Sequence, residues 1–226
     1  ADNNVAIGYL ALGADTQGSR SIAIGTAALD TQNFPSATDT YNVAVGYSAG
    51  NDITTGTQNT LIGGLAGDAI TGGFNNVAIG YLALGDETLG SRNVAIGTAA
   101  LDTQNFTSAT NVYNVAVGYS AGTAVTTGTA NTLIGGLAGD AQTTAANSTA
   151  VGYAALGANT TGANNTAIGK EALDANTTGS ENVGVGVGAL GGNTTAANNV
   201  AVGVNALLAN TTGAENVAVG ANALAA

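Results

Sequence analysis

The side chains able to do chemistry in this sequence are few. Among 226 residues there are 14 acidic and 3 basic groups, seven tyrosines, and no histidine or cysteine. Without histidine and cysteine the usual zinc, haem and iron–sulfur ligands are missing. A cysteine nucleophile and a Ser-His-Asp triad cannot be assembled either. No metal and no cofactor is expected. Paired carboxylates remain: Glu171 with Asp174, and Asp86 with Glu87. A glycan hydrolase would need such a pair across a groove, but acidic residues in corners ordinarily solubilise a surface, and no irregular segment is available to build the groove. Gly184-Val185-Gly186-Val187-Gly188 has the glycine density of a dinucleotide loop, yet no helix follows it. The chain reads as a non-enzyme.

Binding chemistry is bounded in the same way. Three cationic side chains cannot track a phosphate backbone, so a nucleic-acid partner is not expected. No apolar run approaches the ~20 residues of a membrane-spanning helix, so membrane insertion by this segment is not expected. The net charge of -11 would keep assembled chains from clumping and could hold cations weakly. The aromatic residues are the better contact candidates. Tyrosine follows a recurrent glycine at Tyr9, Tyr47, Tyr81, Tyr119 and Tyr153; these could stack on sugar rings or cover a core edge while exposing a hydroxyl, and the second reading is preferred. Two stretches, 30–41 and 102–113, carry Phe34 with Tyr41 and Phe106 with Tyr113. Insertions in a rigid scaffold tend to carry contacts, so Phe34, Tyr41, Phe106 and Tyr113, with Tyr47 and Tyr119, are the expected receptor contacts. Alternatively the two phenylalanines tuck under their own loops or against a neighbouring chain.

The elements that position these residues come from a repeat. Asn4-Val5-Ala6-Ile7-Gly8 returns as Asn76-Val77-Ala78-Ile79-Gly80 and Asn216-Val217-Ala218-Val219-Gly220. The glycine occurs thirteen times, every 17 residues, except before Gly46 and Gly118, where the gap is 21. Four turns sum to 72 residues, so 1–147 reads as two super-repeats and 148–226 as plain 17-residue units. Such regularity marks a solenoid, here a single domain over 1–226 that starts and stops within its own repeat. Helical repeats are longer, and glycine at this density destabilises helices. The fold class is therefore all-β, a parallel β-roll of about thirteen coils, with two short strands and two corners per coil. At ~4.8 Å per turn it would be a rod on the order of 60 Å. Gly18, Gly90, Gly162 and Gly213, seven residues before the motif glycine, are expected at corners of positive φ, with Asp39 and Asn111 in their place at the insertions.

Alternation within the motif puts Val5 and Ile7 on one face and Ala6 on the other. With valine, isoleucine and leucine as the bulky core, the small residues Ala6, Ala23, Ala44, Ala78, Ala95 and Ala116 form a second ribbon. Thin cores need reinforcement, so this ribbon is expected to pack in a homotrimer; the alternative is a tightly spaced core inside one chain. The motif asparagine is expected to form a ladder along the axis, a role that competes with a sugar-binding polar stripe. The Asn-x-Thr/Ser sequons, such as those at Asn159 and Asn176, read as corners and not as glycosylation sites.

The Asn-Val-Ala-Ile-Gly unit with its following Ala-Leu resembles the head repeat of trimeric autotransporter adhesins. The Asn-Thr-Thr-Gly-x-Asn-Asn-Thr-Ala-Ile-Gly version at 159–169 is similar to repeats of bacteriophage tail-fibre shafts. The resemblance implies a left-handed roll, three chains side by side, and an extracellular place on a bacterial surface or virion tail fibre. The function it implies is attachment to a cell-surface glycan or protein receptor. A second hypothesis is a monomeric ice-binding solenoid using Thr160-Thr161, Thr177-Thr178, Thr194-Thr195 and Thr211-Thr212.

Overall fold

The computed structural model describes residues 1–226, which are all-β with no helix. It contains thirteen turns of parallel β-solenoid, six in one compact unit, 1–113, and seven in a second, 114–226. In the first unit the strands are β1 (Val5–Ile7), β2 (Gly18–Ser19), β3 (Ile22–Ile24), β4 (Thr38–Asp39), β5 (Val43–Val45), β6 (Thr60–Ile62), β7 (Val77–Ile79), β8 (Gly90–Ser91), β9 (Val94–Ile96) and β10 (Thr110–Asn111). The second unit holds β11 (Val115–Val117), β12 (Thr132–Ile134), β13 (Thr149–Val151), β14 (Thr166–Ile168), β15 (Val183–Val185), β16 (Val200–Val202) and β17 (Val217–Val219). Within each unit the motif strands pair in parallel with each residue opposite its equivalent one turn on, as Ala78 opposite Ala95 and Ala150 opposite Ala167.

Each regular turn has one strand and not the expected two. The opposite side runs as consecutive turns whose N–H groups still donate to the neighbouring coil, as Leu29 to Ala49 at 3.1 Å and Leu156 to Ala172 at 3.0 Å. The motif glycine is fixed by close approach: a Cβ on Gly63 (φ +137) would lie 2.5 Å from the Gly80 carbonyl oxygen. The corner glycines expected at positive φ are not there. Gly18, Gly90, Gly162 and Gly213 are excluded from larger residues by crowding, Gly18 by the Asp15 carboxylate at 2.8 Å and Gly213 by the Asn210 amide at 2.6 Å. The left-handed residues stand two positions later, at Arg20, Arg92, Asn164 and Glu215.

The facing of the motif strand is the reverse of the expected one. Ala23, Ala44, Ala78, Ala95 and Ala116 are fully buried inside the single chain, and only Ala6, in the first turn, is exposed. They therefore line the chain's own core and offer no trimer surface. The valine and isoleucine on either side point outward and are half-buried or exposed. The interior is narrow, and leucine from the opposite wall (Leu29, Leu84, Leu101, Leu156, Leu173, Leu190) already fills it, so the strand can contribute only a methyl group. Where glycine replaces that leucine, a large residue elsewhere takes the space. A Cβ on Gly67 would lie 2.8 Å from both Leu61 and Ile70, and one on Gly139 2.8 Å from Leu133.

Buried asparagines stitch successive turns together. The Oδ1 of Asn59 accepts the backbone N–H of Asn76 at 3.0 Å, while its Nδ2 donates to the Gly73 carbonyl at 2.9 Å. Asn42, Asn165 and Asn182 repeat the pattern. A second ladder, unforeseen from the sequons, runs through Asn159, Asn176, Asn193 and Asn210, the last three each donating to the one before at 2.9–3.0 Å.

One core position breaks this satisfaction. Gln142 is fully buried and neither its Oε1 nor its Nε2 has a hydrogen-bond partner. The residue 72 positions earlier is the buried Ile70. Gln142→Ile should therefore stabilise the chain by about 1–3 kcal/mol, raising the thermal midpoint by several degrees. A midpoint equal to or below that of the unmodified chain would show that the amide is satisfied in solution.

Candidate functional site

The two insertions are built into the first unit and do not project as free loops. In the first, β4 pairs in parallel with β2, and in the second β10 pairs with β8. Glu87, fully buried, anchors the second insertion. Its Oε1 accepts the N–H groups of Leu89, Gly90 and Phe106 at 2.6–3.2 Å, and its Oε2 accepts from the Gln104 amide at 2.8 Å. Thr88 donates to the Phe106 carbonyl at 2.8 Å. At the equivalent place in the first insertion the Gln32 amide donates to Asp15 at 3.1 Å. Four donors on one buried carboxylate satisfy a charge that would otherwise be prohibitive to bury. Asp86, beside it in sequence, is exposed, so the two carboxylates face different environments.

This arrangement corrects part of the expected contact site. Phe34 and Phe106 are 6 % and 8 % exposed, so they pack beneath the insertions and cannot meet a receptor. A phenyl ring beside a thin core gains more from burial than from display. Tyr41 and Tyr113 remain exposed but are engaged by arginine. The Arg20 guanidinium lies 5.6 Å from the Tyr41 ring, donates to its hydroxyl at 3.1 Å and pairs with Asp39 at 3.1 Å. Arg92 lies between Phe74 at 5.6 Å and Tyr113 at 5.7 Å. Two of the three basic residues are thus held against the aromatic rings of the insertions.

The motif asparagines from Asn42 to Asn199 are buried and so closed to a sugar. In the Asn-Thr-Thr corners the first threonine donates its hydroxyl to the next turn, Thr160 to the Thr177 carbonyl at 3.0 Å and Thr177 to Thr194 at 3.1 Å, leaving Thr161 and Thr178 exposed. Tyr47 and Tyr81 in the first unit, and Tyr119 and Tyr153 in the second, are 53–65 % exposed. The preference for tyrosines covering a core edge gives way to rings open to solvent. They sit one residue after the motif glycine, where the chain leaves the strand and no interior space exists for a ring.

Acidic side chains line the opposite end of the same corner segment. Burial raises the Asp68 carboxyl to about 6, with smaller contributions in the same direction from the charges of Asp52, Asp86 and Asp102. Burial likewise raises Asp102, Asp140 and Asp174. Glu171 and Asp174 border a cleft with Val187, Asn205 and Leu208, and Lys170 pairs with Glu171 at 3.3 Å.

The fold and its ordered corners place the chain in the class of parallel β-solenoid repeat proteins. No protein-family model, curated protein or solved structure matches it significantly.

Two outcomes are expected. Phe106→Ala should lower stability by about 3 kcal/mol, seen as a lower denaturant midpoint; an unchanged midpoint would return Phe106 to the surface. For Asp68 the folded carboxyl binds its proton more tightly than the unfolded one, so stability falls as pH rises from about 4 to 6 and is level above that. Asp68→Asn should flatten this slope and raise stability at neutral pH by up to about 1 kcal/mol, since solvent screens the half-exposed site. A steeper slope in the variant would reverse the assignment.

Proposed function

We propose that the chain is a structural, receptor-contacting segment of an extracellular trimeric fibre, of the kind its repeats resemble in bacterial adhesin heads and phage tail-fibre shafts, with attachment and not catalysis as its task. The observation that carries this reading is the outward face of the motif strands. In every turn it presents two β-branched side chains, and after stacking these remain half-buried or exposed. Away from the ends, Ile62 is 38 % exposed, Ile168 41 % and Val202 37 %. Within each unit the second of the two positions is valine or isoleucine in every turn and forms a continuous apolar rank, while the first carries threonine at Thr60, Thr132, Thr149 and Thr166. Such a rank is of the sort that a soluble monomer rarely displays.

A flat face of in-register β-branched residues fits copies of itself. Cyclic symmetry brings equivalent turns to the same height, so each rank of one chain meets the same rank of its neighbours. Three chains is the number that the family resemblance implies. The interface thus lies on the valine and isoleucine, and the alanines stay within each chain. The net charge of -11 then falls on the remaining surface and opposes lateral aggregation of fibres. Repeated contact patches along such a fibre would bind weakly and gain from multivalency.

Light scattering should give about three times the chain mass of 21.5 kDa. Val77→Lys combined with Ile79→Lys should yield monomer that keeps its β-sheet circular dichroism, because both side chains point outward. A monomeric unmodified chain, or a variant still trimeric, would overturn the quaternary reading.

A further inference from the structure

We infer that Tyr47 and Tyr81, across Gly64, and Tyr119 and Tyr153, across Gly136, form two stacking platforms for an extended, neutral, β-linked polysaccharide chain. This rests on the attachment reading and names the ligand class of that attachment. The four tyrosines occupy one position of the turn, immediately after the motif glycine. In the first unit that position runs Tyr47, Gly64, Tyr81 over three successive turns, and in the second it runs Tyr119, Gly136, Tyr153.

The glycine between each pair is not required by the fold. Neither Gly64 nor Gly136 has a positive φ, unlike the motif glycines before them. A Cβ on Gly64 would meet nothing nearer than the Tyr81 ring at 3.6 Å, and one on Gly136 nothing nearer than the Tyr153 ring at 3.8 Å. The same position carries Lys170, Val187 and Val204 in later turns, so the backbone there accepts side chains, branched ones included. What glycine does at 64 and 136 is keep the floor between two exposed rings clear. Both super-repeats do this at the same place.

Geometry and charge select the ligand. The paired rings stand two turns apart, about 9.6 Å at ~4.8 Å per turn, which is roughly the length of two pyranose units in an extended β-linked chain. Alternate sugars of such a chain would reach successive tyrosines, with the intervening sugar over glycine. A helical α-linked chain does not keep that spacing. Sugar C–H faces pack on aromatic rings as other apolar groups do, and tyrosine adds a hydroxyl. No arginine lies against any of these four rings, in contrast to Tyr41 and Tyr113, and the net charge of -11 disfavours an anionic polymer.

The test is titration of the full chain with β-1,4-linked hexasaccharides of glucose and of N-acetylglucosamine, with the α-1,4-linked glucose hexasaccharide as control. Calorimetry and tyrosine fluorescence, which tryptophan does not obscure here, report binding. At least one β-linked probe should bind and the α-linked one should not. Tyr81→Ala with Tyr153→Ala, and separately Gly64→Val with Gly136→Val, should each weaken binding about tenfold at an unchanged thermal midpoint, while Tyr41→Ala leaves affinity unaltered. The inference is overturned if neither β-linked probe binds, if the α-linked probe binds equally, or if both double variants bind as the unmodified chain does. A trimer that attaches to cells without binding these probes defeats this inference alone; a monomer that binds them defeats only the trimer.

Discussion

The structure depends on one constraint: each turn must offer its neighbour the same backbone outline. In a parallel stack the inter-turn backbone hydrogen bonds recur at the same offset from turn to turn, so a change of shape in one turn would unpair two interfaces. The cost of that uniformity is visible in the backbone. A regular turn holds three non-glycine residues in left-handed conformation, as Ala154, Leu156 and Asn164, each disfavoured by about 1–2 kcal/mol. Each of them donates its N–H to an adjacent turn, Ala154 to Gly136 at 3.1 Å, Leu156 to Ala172 at 3.0 Å and Asn164 to Ala146 at 3.0 Å. The strained conformations aim these donors along the axis, and the bonds to both neighbours hold the strain in place.

Within that fixed outline the core varies by exchange. Leucine opposite alanine is the common arrangement, and glycine opposite leucine or isoleucine replaces it at Gly67 and Gly139. Volume is preserved while the side chain changes walls, the kind of substitution that packed interiors tolerate best. Polar core positions follow the same logic, since Asn, Gln and Glu are admitted where an adjacent turn supplies the partner. Gln142, standing where the preceding super-repeat has Ile70, is the place where the exchange leaves polar atoms unmatched.

The insertions show how a four-residue excess is absorbed without disturbing the stack. Phe34 and Phe106 plug the added space, and the short parallel pairs of β2 with β4 and of β8 with β10 tie it to the preceding turn. The chain's two arginines both serve these segments. Side chains are left open to solvent at positions with no interior to fill: the outward strand face and the corner after the motif glycine.

Period, strand position and the two insertions were legible because a solenoid writes each turn into the sequence at a fixed interval, and the motif asparagine announced its ladder by recurring in phase. Alternation in Val-Ala-Ile also told that alanine and its neighbours face opposite ways. It could not tell which face is inside, because a three-residue strand can bury either side, and only the width left by the leucines of the opposite wall decided for alanine. The corner glycines were misread for a related reason: crowding by Asp15 or Asn210 and a positive φ both select glycine, and only packing separates them. Phe34 and Phe106 were visible as aromatic residues in insertions, but their burial follows from the hydrogen bonds that fold each insertion back on its neighbour. Residue spacing along the chain determined the repeat; the space between the walls, which exists only once turns are stacked, decided what each side chain meets.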